Sequence, residues 1–252
     1  MDGCVVGSLF VGKLDNANAG QARRNKRGSM MQGNRKYWIS GLVGCALFGV
    51  GDWLLGYVDP QPVSEVFSVL KAGHGADYSL WKIALTLLLG VIGVPFLMAG
   101  CVRTAELVTE EKRKSVLRYS MMLLPVGWLL IHFTVSCGIY AYAWNMRKGD
   151  PSAALSMSED VIRMFQGTQI AADLLAVIPL FLLVTFTLRN KTALKKTSLL
   201  FTPFLWMALF SAVKFLVPAT PFSNGIDTFC MNAGMMVWFG YLSVKKTEGG
   251  AK

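Results

Sequence analysis

Apolar residues fall in long blocks along the chain, separated by short polar or basic connections. A helix crosses a hydrocarbon core of roughly 30 Å with about 20 apolar residues, because each residue adds 1.5 Å. The pattern therefore predicts an all-α fold, a polytopic transmembrane bundle of six spans. The predicted spans are about residues 37–58, 80–107, 119–144, 162–188, 199–217 and 226–244.

Three regions follow from this pattern. Residues 1–36 mix Gly, Asn, Ala and Gln with basic residues, a composition that predicts a disordered N-terminal segment. Residues 37–244 form the six-helix transmembrane domain, and residues 245–252 form a short basic tail. The linker that follows the first span predicts a short amphipathic helix at the membrane surface, and residues 145–160 predict a polar loop.

The distribution of basic residues predicts the orientation of the spans. Of the 25 lysines and arginines, 19 lie in the N-terminal segment, the second-to-third and fourth-to-fifth connections and the tail. The remaining six lie in or near the connections on the other side. Cytoplasmic loops carry the excess of Lys and Arg, so both the N-terminus and the C-terminus are predicted to be cytoplasmic.

Composition narrows the function classes. With 53% apolar and 16% charged residues, the chain differs from soluble domains, in which about 25% of residues are charged. Its net charge of +10 is carried by the loops, which predicts contact with the bilayer and its anionic headgroups and no nucleic-acid partner. The five cysteines have no C-x-x-C spacing, so neither a metal site nor a cofactor is indicated.

Several polar side chains lie inside the predicted spans. An ionised group at mid-depth costs at least about 2.5–3.5 kcal/mol, so each one needs a partner or a water-filled space. Asp52 lies roughly 9 Å below the outer end of the first span at 1.5 Å per residue, and the other charged groups also gather in the outer half. The candidates are Asp52, His132, Asp173, Lys214, Asp227 and Asn232.

Helical spacing assigns some of these residues to shared faces. Asp52 lies three or four residues from Gly49 and Gly56, which allow close helix approach, so it is predicted to face the bundle interior. In the fourth span Gln169 and Asp173 form a polar stripe with Gln166. The sequence predicts an outward-opening polar pocket, with structural pairing of the charges as the alternative. The predicted binding residues are Asp52, His132, Gln169, Asp173 and Lys214.

Three functions remain open on this basis. The leading hypothesis is a non-enzymatic protein that binds or moves a small solute, ion or lipid through the polar pocket. The tetrapeptide 49–52 also resembles the G-x-G-D motif of intramembrane aspartyl proteases, which implies an aspartyl hydrolase using Asp52 and Asp173. In that family the G-x-G-D span follows the other Asp, whereas here it comes first. The third hypothesis is an assembly or sensory protein without a small-molecule site.

The first span carries a further resemblance. The segment from Ser40-Gly41-Leu42 to Gly51-Asp52-Trp53-Leu54-Leu55-Gly56-Tyr57 resembles the opening helix of an uncharacterised family of six-span bacterial membrane proteins. This resemblance implies a fold and membrane residence, and no activity. The plasma or inner membrane is the predicted location, and the sequence leaves open whether the protein forms a homo-oligomer.

Overall fold

The computed structural model describes residues 33–245, and within them the chain is all-α with no β-strand beyond isolated bridges. The helices are α1 (Gly33–Gly56), α2 (Leu80–Thr104), α3 (Glu111–Arg147), α4 (Pro151–Met164), α5 (Gln166–Leu188), α6 (Pro203–Ala212) and α7 (Pro221–Val244). In this described part of the chain, four helices are long and apolar enough to cross a membrane: α1, α2, α3 and α5. The apolar segment of α2 continues to Leu107.

The last two helices differ from the predicted fifth and sixth spans. α6 has only 10 residues and is flanked by the 3-10 helices Lys196–Phe201 and Val213–Phe215. An α-helix of that length is roughly 15 Å long, about half of a hydrocarbon core. α7 has 24 residues and is long enough, but polar residues such as Asn224, Asp227 and Asn232 lower its apolar character.

Two local predictions are wrong. Most of the predicted polar loop 145–160 belongs to α4, which begins where the Asp150 carboxylate accepts a hydrogen bond from the Ala153 amide. The linker between α1 and α2 contains only the 3-10 helix Ala72–His74, so the predicted amphipathic helix does not form there. α4 is instead the amphipathic helix, because its buried residues recur every four positions, at Ala154, Ser158 and Ile162.

The predicted disordered segment and tail lie mostly outside the described residues. Residues 33–36 already belong to α1. In the predicted tail 245–252, only Lys245 is described, and it follows the end of α7.

Glycines set the distance between α1 and its neighbours. A Cβ at Gly44 would lie 2.4 Å from the Leu97 backbone nitrogen on α2. A Cβ at Gly49 would lie 2.2 Å from the Phe229 ring on α7, and one at Gly56 would lie 1.9 Å from the Thr228 hydroxyl. Only glycine permits such contacts, so α1 packs closely on both α2 and α7, as small residues allow between apolar helices.

The basic turns lie at one end of the bundle. Arg103 at the end of α2 lies over the Tyr37 ring near the start of α1, with its guanidinium carbon 4.4 Å from the ring centroid. The connection after α2 pairs with the connection after α5 through the bridge between Val108 and Thr192. Lys245 at the end of α7 donates to Tyr241, and its Nζ–Oη distance is 2.7 Å.

The opposite end holds the α1–α2 linker, α4 and the start of α7. The Ser64 hydroxyl donates to Glu159 of α4 at 2.5 Å, and the Asn224 amide donates to the Gly56 carbonyl at 2.7 Å. The Arg147 guanidinium at the end of α3 donates to the Ala76 carbonyl at 3.2 Å. The start of α7 therefore meets the end of α1, so the two helices run antiparallel.

Candidate functional site

The centre of the candidate site is the carboxyl group of Asp52. Its Oδ1 lies 2.8 Å from Nε2 of His132, and its Oδ2 accepts a hydrogen bond of 2.5 Å from the Asn232 amide. These three side chains come from α1, α3 and α7. We call this group the Asp52 centre. His132 is 4% exposed and Asn232 is 0% exposed, while 18% of the Asp52 side chain is exposed, so the centre lies inside the bundle with partial access at Asp52.

Neighbouring side chains hold the centre in place. The Phe48 ring, one turn before Asp52 on α1, stacks on the imidazole of His132 with ring centroids 4.9 Å apart. The Thr228 hydroxyl on α7 donates to the Asp52 carbonyl at 3.1 Å. On the α2 side, the Thr86 hydroxyl donates to the Gly51 carbonyl at 3.0 Å. Beside the carboxyl group, α1 is therefore hydrogen-bonded to α2 and α7 as well as to α3.

The electrostatics of the centre depend on a single proton. Among the described residues, neither oxygen of the Asp52 carboxyl contacts a lysine or an arginine. A buried ion pair or a buried neutral pair avoids an uncompensated charge, so one proton shared between Asp52 and His132 gives the favoured net-neutral state. Removing that proton leaves one negative charge in a poorly hydrated interior.

Two further polar atoms of the centre are buried without a hydrogen-bond partner among the described residues. They are Nδ1 of His132 and Oδ1 of Asn232. Buried polar atoms in folded proteins are nearly always hydrogen-bonded, and an unpaired one costs about 1–3 kcal/mol. The centre therefore retains hydrogen-bonding capacity that the protein itself does not use.

The predicted site residues separate into two groups in the structure. Asp52 and His132 lie in contact in the Asp52 centre. Gln169 and Asp173 hydrogen-bond to each other on α5 at 3.3 Å, and Asp173 is exposed on the outer surface of the bundle. Lys214 belongs to the 3-10 helix Val213–Phe215, and its side chain lies outside the described part of the structure.

The third helix of the site is α7, which carries Asn232, whereas the predicted polar stripe of Gln169 and Asp173 lies on α5. α5 packs through its other face, where Ala172 and Ala176 are buried. A backbone contact shows how close this packing is, because a Cβ at Gly127 of α3 would lie 2.7 Å from the Ala172 carbonyl oxygen.

Spacing along α7 places Asn232 on a polar stripe. Asn224, Thr228 and Asn232 recur every four residues and form one stripe on α7. All three donate hydrogen bonds to α1, at the Gly56 carbonyl, the Asp52 carbonyl and the Asp52 carboxylate. Asp227 lies off this stripe, and its carboxylate accepts a hydrogen bond from Ser211 of α6 at 2.8 Å.

The second histidine of the chain lies outside the Asp52 centre. His74 is 2% exposed in the α1–α2 linker. Its Nδ1 accepts from the Lys71 amide at 3.2 Å, so the proton of the neutral ring is on Nε2, which donates to the Leu55 carbonyl at 2.9 Å. Burial, together with the positive charges of Lys71 and Lys82, lowers the pKa of His74 to about 4.

No metal or disulfide chemistry is found in the part of the chain that the structure describes. No group of three His, Cys, Asp or Glu side chains there could hold a metal ion. Cys45, Cys101, Cys137 and Cys230 are free thiols.

Comparison with known proteins assigns the chain to a family. Neither a curated protein nor a solved structure matches it. A family model described as a family of unknown function, DUF6796, matches residues 30–247, which confirms the predicted link to an uncharacterised family. Because the match covers most of the chain, this protein belongs to the DUF6796 family.

Proposed function

We propose that the chain is a six-span membrane protein whose Asp52 centre binds or moves a small solute or ion. The observation that carries this proposal is the partly buried carboxyl group of Asp52 on α1, which bonds an imidazole from α3 and an amide from α7. An ionisable residue inside a membrane bundle is costly and marks a functional site by default. Both chain ends would be cytoplasmic.

The arrangement of the helix ends supports six crossings. The basic connections after α2 and α5 and the end of α7 lie at one end of the bundle, where anionic headgroups of the cytoplasmic leaflet would attract them. α6 with its flanking 3-10 helices would supply the fifth crossing, since residues 196–215 run from that end towards the start of α7.

The chemistry of the centre favours a small cation. Asp52 supplies a carboxylate, and Oδ1 of Asn232 supplies an acceptor that no described residue uses. A monovalent metal cation or a protonated amine would balance the negative charge left when the centre loses its proton. Binding would therefore compete with protonation, and ligand binding would be weaker at low pH.

A thermal-shift titration of the purified protein in detergent tests this proposal. The panel comprises lithium, sodium, potassium and short alkylammonium ions at constant ionic strength. At least one cation is expected to raise the melting midpoint, because a ligand that binds only the folded state stabilises it. Asp52→Asn should abolish that rise, while Asp160→Asn, the same change at an exposed position on α4, should retain it.

The outcomes of the titration are distinct. A rise of equal size in Asp52→Asn would contradict binding at the centre. No rise with any cation in the wild type would contradict the cation preference. Uptake of the active cation into proteoliposomes then distinguishes transport from binding alone.

Cysteine accessibility tests the proposed topology. In a cysteine-free background, Lys112→Cys and Thr220→Cys are labelled from outside sealed vesicles with a membrane-impermeant maleimide. Six crossings with cytoplasmic ends place the two positions on opposite sides of the membrane. The reagent should therefore label only one of them. Labelling of both from one side would overturn the topology.

The alternatives have less support. A hydrolase with two carboxylates needs Asp52 and Asp173 within reach of each other. In the described residues the Asp52 carboxyl bonds His132 and Asn232, whereas Asp173 is exposed and bonds Gln169. An assembly or sensory protein without a small-molecule site would leave no cavity, and the cavity of about 500 Å³ between α2, α3 and α4 does not fit that requirement.

A further inference from the structure

Three polar side chains meet where α7 ends. The Lys245 ammonium donates to the Tyr241 hydroxyl, with an Nζ–Oη distance of 2.7 Å, and to the Ser198 hydroxyl at 3.2 Å. The two hydroxyl oxygens lie 2.7 Å apart and share a hydrogen bond. Lys245 and Tyr241 are one helical turn apart, whereas Ser198 belongs to the 3-10 helix Lys196–Phe201 before α6. We call these three residues the Lys245 cluster.

Neighbouring residues hold the Lys245 cluster in place. The Tyr241 ring stacks on Phe201 with ring centroids 4.2 Å apart, and Ser198 is 1% exposed. Lys245 is partly exposed, so a ligand reaches the cluster at the ammonium and not at the buried serine. The ammonium has three N–H donors and uses two of them for the hydroxyls, so within the described residues one donor remains for a ligand.

The position of this ammonium differs from that of an ordinary interfacial lysine. A lysine at the end of a membrane helix usually extends its charge into water. The Lys245 Nζ instead lies 5.0 Å from the centroid of the Tyr241 ring on its own helix, and it bonds a hydroxyl from another segment of the chain. A charge fixed in this way is preorganised, because little side-chain freedom has to be lost when a ligand binds.

The charge of Lys245 has no carboxylate partner in the described part of the chain. The salt bridges at this end of the bundle join other bases to the acids Glu106, Glu110 and Glu111. Positive charge also accumulates beside the cluster, because Lys195 and Lys196 are exposed just before Ser198, and no Asp or Glu lies between residues 174 and 226. The hydroxyl groups bond the ammonium but carry no charge, so the cluster favours an anion as its ligand.

The depth of the cluster indicates which anion it meets. Lys245 directly follows α7, the predicted sixth span, so its charge would lie at the boundary between hydrocarbon and headgroups. Trp238 and Tyr241, whose ring centroids lie 6.1 Å apart, are aromatic residues of the kind that is typical of this boundary. The phosphate of a phospholipid lies at this depth, within reach of basic side chains at the ends of membrane helices.

We propose that the Lys245 cluster binds the phosphate group of one anionic phospholipid in the leaflet at that end of the bundle. The remaining N–H of Lys245 donates to a phosphate oxygen, and Tyr241 and Ser198 hold the ammonium in place. Lys195 and Lys196 attract a headgroup with a net negative charge and disfavour one that also carries a cation, such as choline. This inference rests on the membrane placement proposed above and is independent of the Asp52 centre.

Native mass spectrometry of the full chain, released from detergent, measures the binding of single lipids. The protein is titrated with phosphatidylglycerol and with phosphatidylcholine of the same acyl chains. In the wild type the first phosphatidylglycerol is expected to bind about tenfold more tightly, the factor for one net hydrogen bond to a charged group. Lys245→Gln should remove this preference. Lys112→Gln, the same charge change at an exposed lysine of the same end, should keep it within about twofold.

Tyr241→Phe tests the hydroxyl that positions the ammonium. The variant keeps the ring that stacks on Phe201. The preference for phosphatidylglycerol should fall by about three- to fivefold, because the ammonium is then less firmly held. The affinity for phosphatidylcholine and the melting midpoint without lipid should stay close to those of the wild type. Equal weakening of both lipids would contradict the positioning role.

Further arms separate the sources of phosphate and the causes of failure. Inorganic phosphate or glycerol 3-phosphate that binds as tightly as phosphatidylglycerol, and is lost in Lys245→Gln, would overturn the lipid in favour of a soluble phosphate. Equal affinities for both lipids in the wild type, a comparison that needs no variant to fold, would overturn the site. Equal losses in Lys245→Gln and Lys112→Gln would overturn it as well. Failure of the protein to float with lipid vesicles would instead contradict the membrane placement.

Discussion

The chain has two histidines, and both are buried, yet their surroundings differ. His74 in the α1–α2 linker bonds backbone groups through both ring nitrogens. His132 in α3 bonds the Asp52 carboxyl through Nε2, and its Nδ1 has no partner among the described residues. A histidine with both nitrogens bonded to the backbone stabilises one conformation. A histidine with a carboxylate on one side and a free nitrogen on the other retains capacity for a proton or a ligand.

The largest expected effect breaks the Asp52 centre. His132→Leu should destabilise the fold by up to about 3 kcal/mol, because it leaves the partly buried Asp52 carboxyl without its imidazole partner. Asp52→Leu combined with His132→Leu should recover most of that loss, since an apolar pair needs no partner. A double-mutant cycle of unfolding free energies measures the coupling. Additive losses in the double variant would contradict the pairing.

The linker histidine should respond to pH. The pKa of His74 is about 4 in the folded protein and about 6.5 in an unfolded chain, so the unfolded state binds more protons between these values. Its contribution, at most about 3 kcal/mol, is complete above pH 6.5 and is lost as the pH falls to 4. Melting midpoints measured across this range should fall less in His74→Gln than in the wild type. Equal falls in both proteins would assign the acid sensitivity to other groups.

The packing of α1 on α7 can be tested without changing a polar group. Gly49→Ala should destabilise the fold by about 1–3 kcal/mol, because its Cβ would overlap the Phe229 ring beside Asn232. It should also weaken ligand binding at the Asp52 centre. A Cβ at Gly240 of α7 would have no neighbouring atom within 4 Å. Gly240→Ala should therefore be neutral or stabilise the fold by up to about 1 kcal/mol. Thermal shifts of the two variants, with and without cation, separate the two effects.

The smallest expected effect concerns the acid on α5. Asp173→Asn should change the free energy of unfolding by no more than about 0.5 kcal/mol, because the side chain is exposed and bonds only Gln169 among the described residues. Chemical denaturation in detergent measures this change. A loss as large as that of an Asp52 variant would show that Asp173 belongs to the interior and would restore the two-carboxylate hypothesis.

The sequence predicts most of the helices, and the exceptions have physical causes. α1, α2, α3 and α5 follow the long apolar blocks, which are sufficient to define a membrane-length helix. The sequence predicts no helix for most of α4 because the first two positions of its buried stripe are the small residues Ala154 and Ser158, and only Ile162 is strongly apolar. A Cβ at Gly138 of α3 would lie 2.5 Å from Ile162, so α4 is held by close approach, which hydropathy does not record.

The sequence indicates only some of the residues of the candidate site. Asp52 and His132 were found because an ionisable residue in an apolar block is costly wherever the helix packs. Asp173 satisfied the same criterion but lies at an exposed position of α5, since helical spacing relates residues of one helix and does not say which face meets a neighbour. Asn232 was noticed as a polar residue, and its pairing with Asp52 required knowledge that α7 packs on α1.

The sequence by itself determined that the protein is helical, that its long apolar helices suit a membrane, and that Asp52 lies on the same side of α1 as Gly49 and Gly56. These features depend on local composition and on spacing along one helix. Only the tertiary structure decided that His132 and Asn232 are the partners of Asp52, and that an apolar cavity lies between α2, α3 and α4. Contacts between helices depend on which glycine faces meet, and that choice is made by the whole bundle at once.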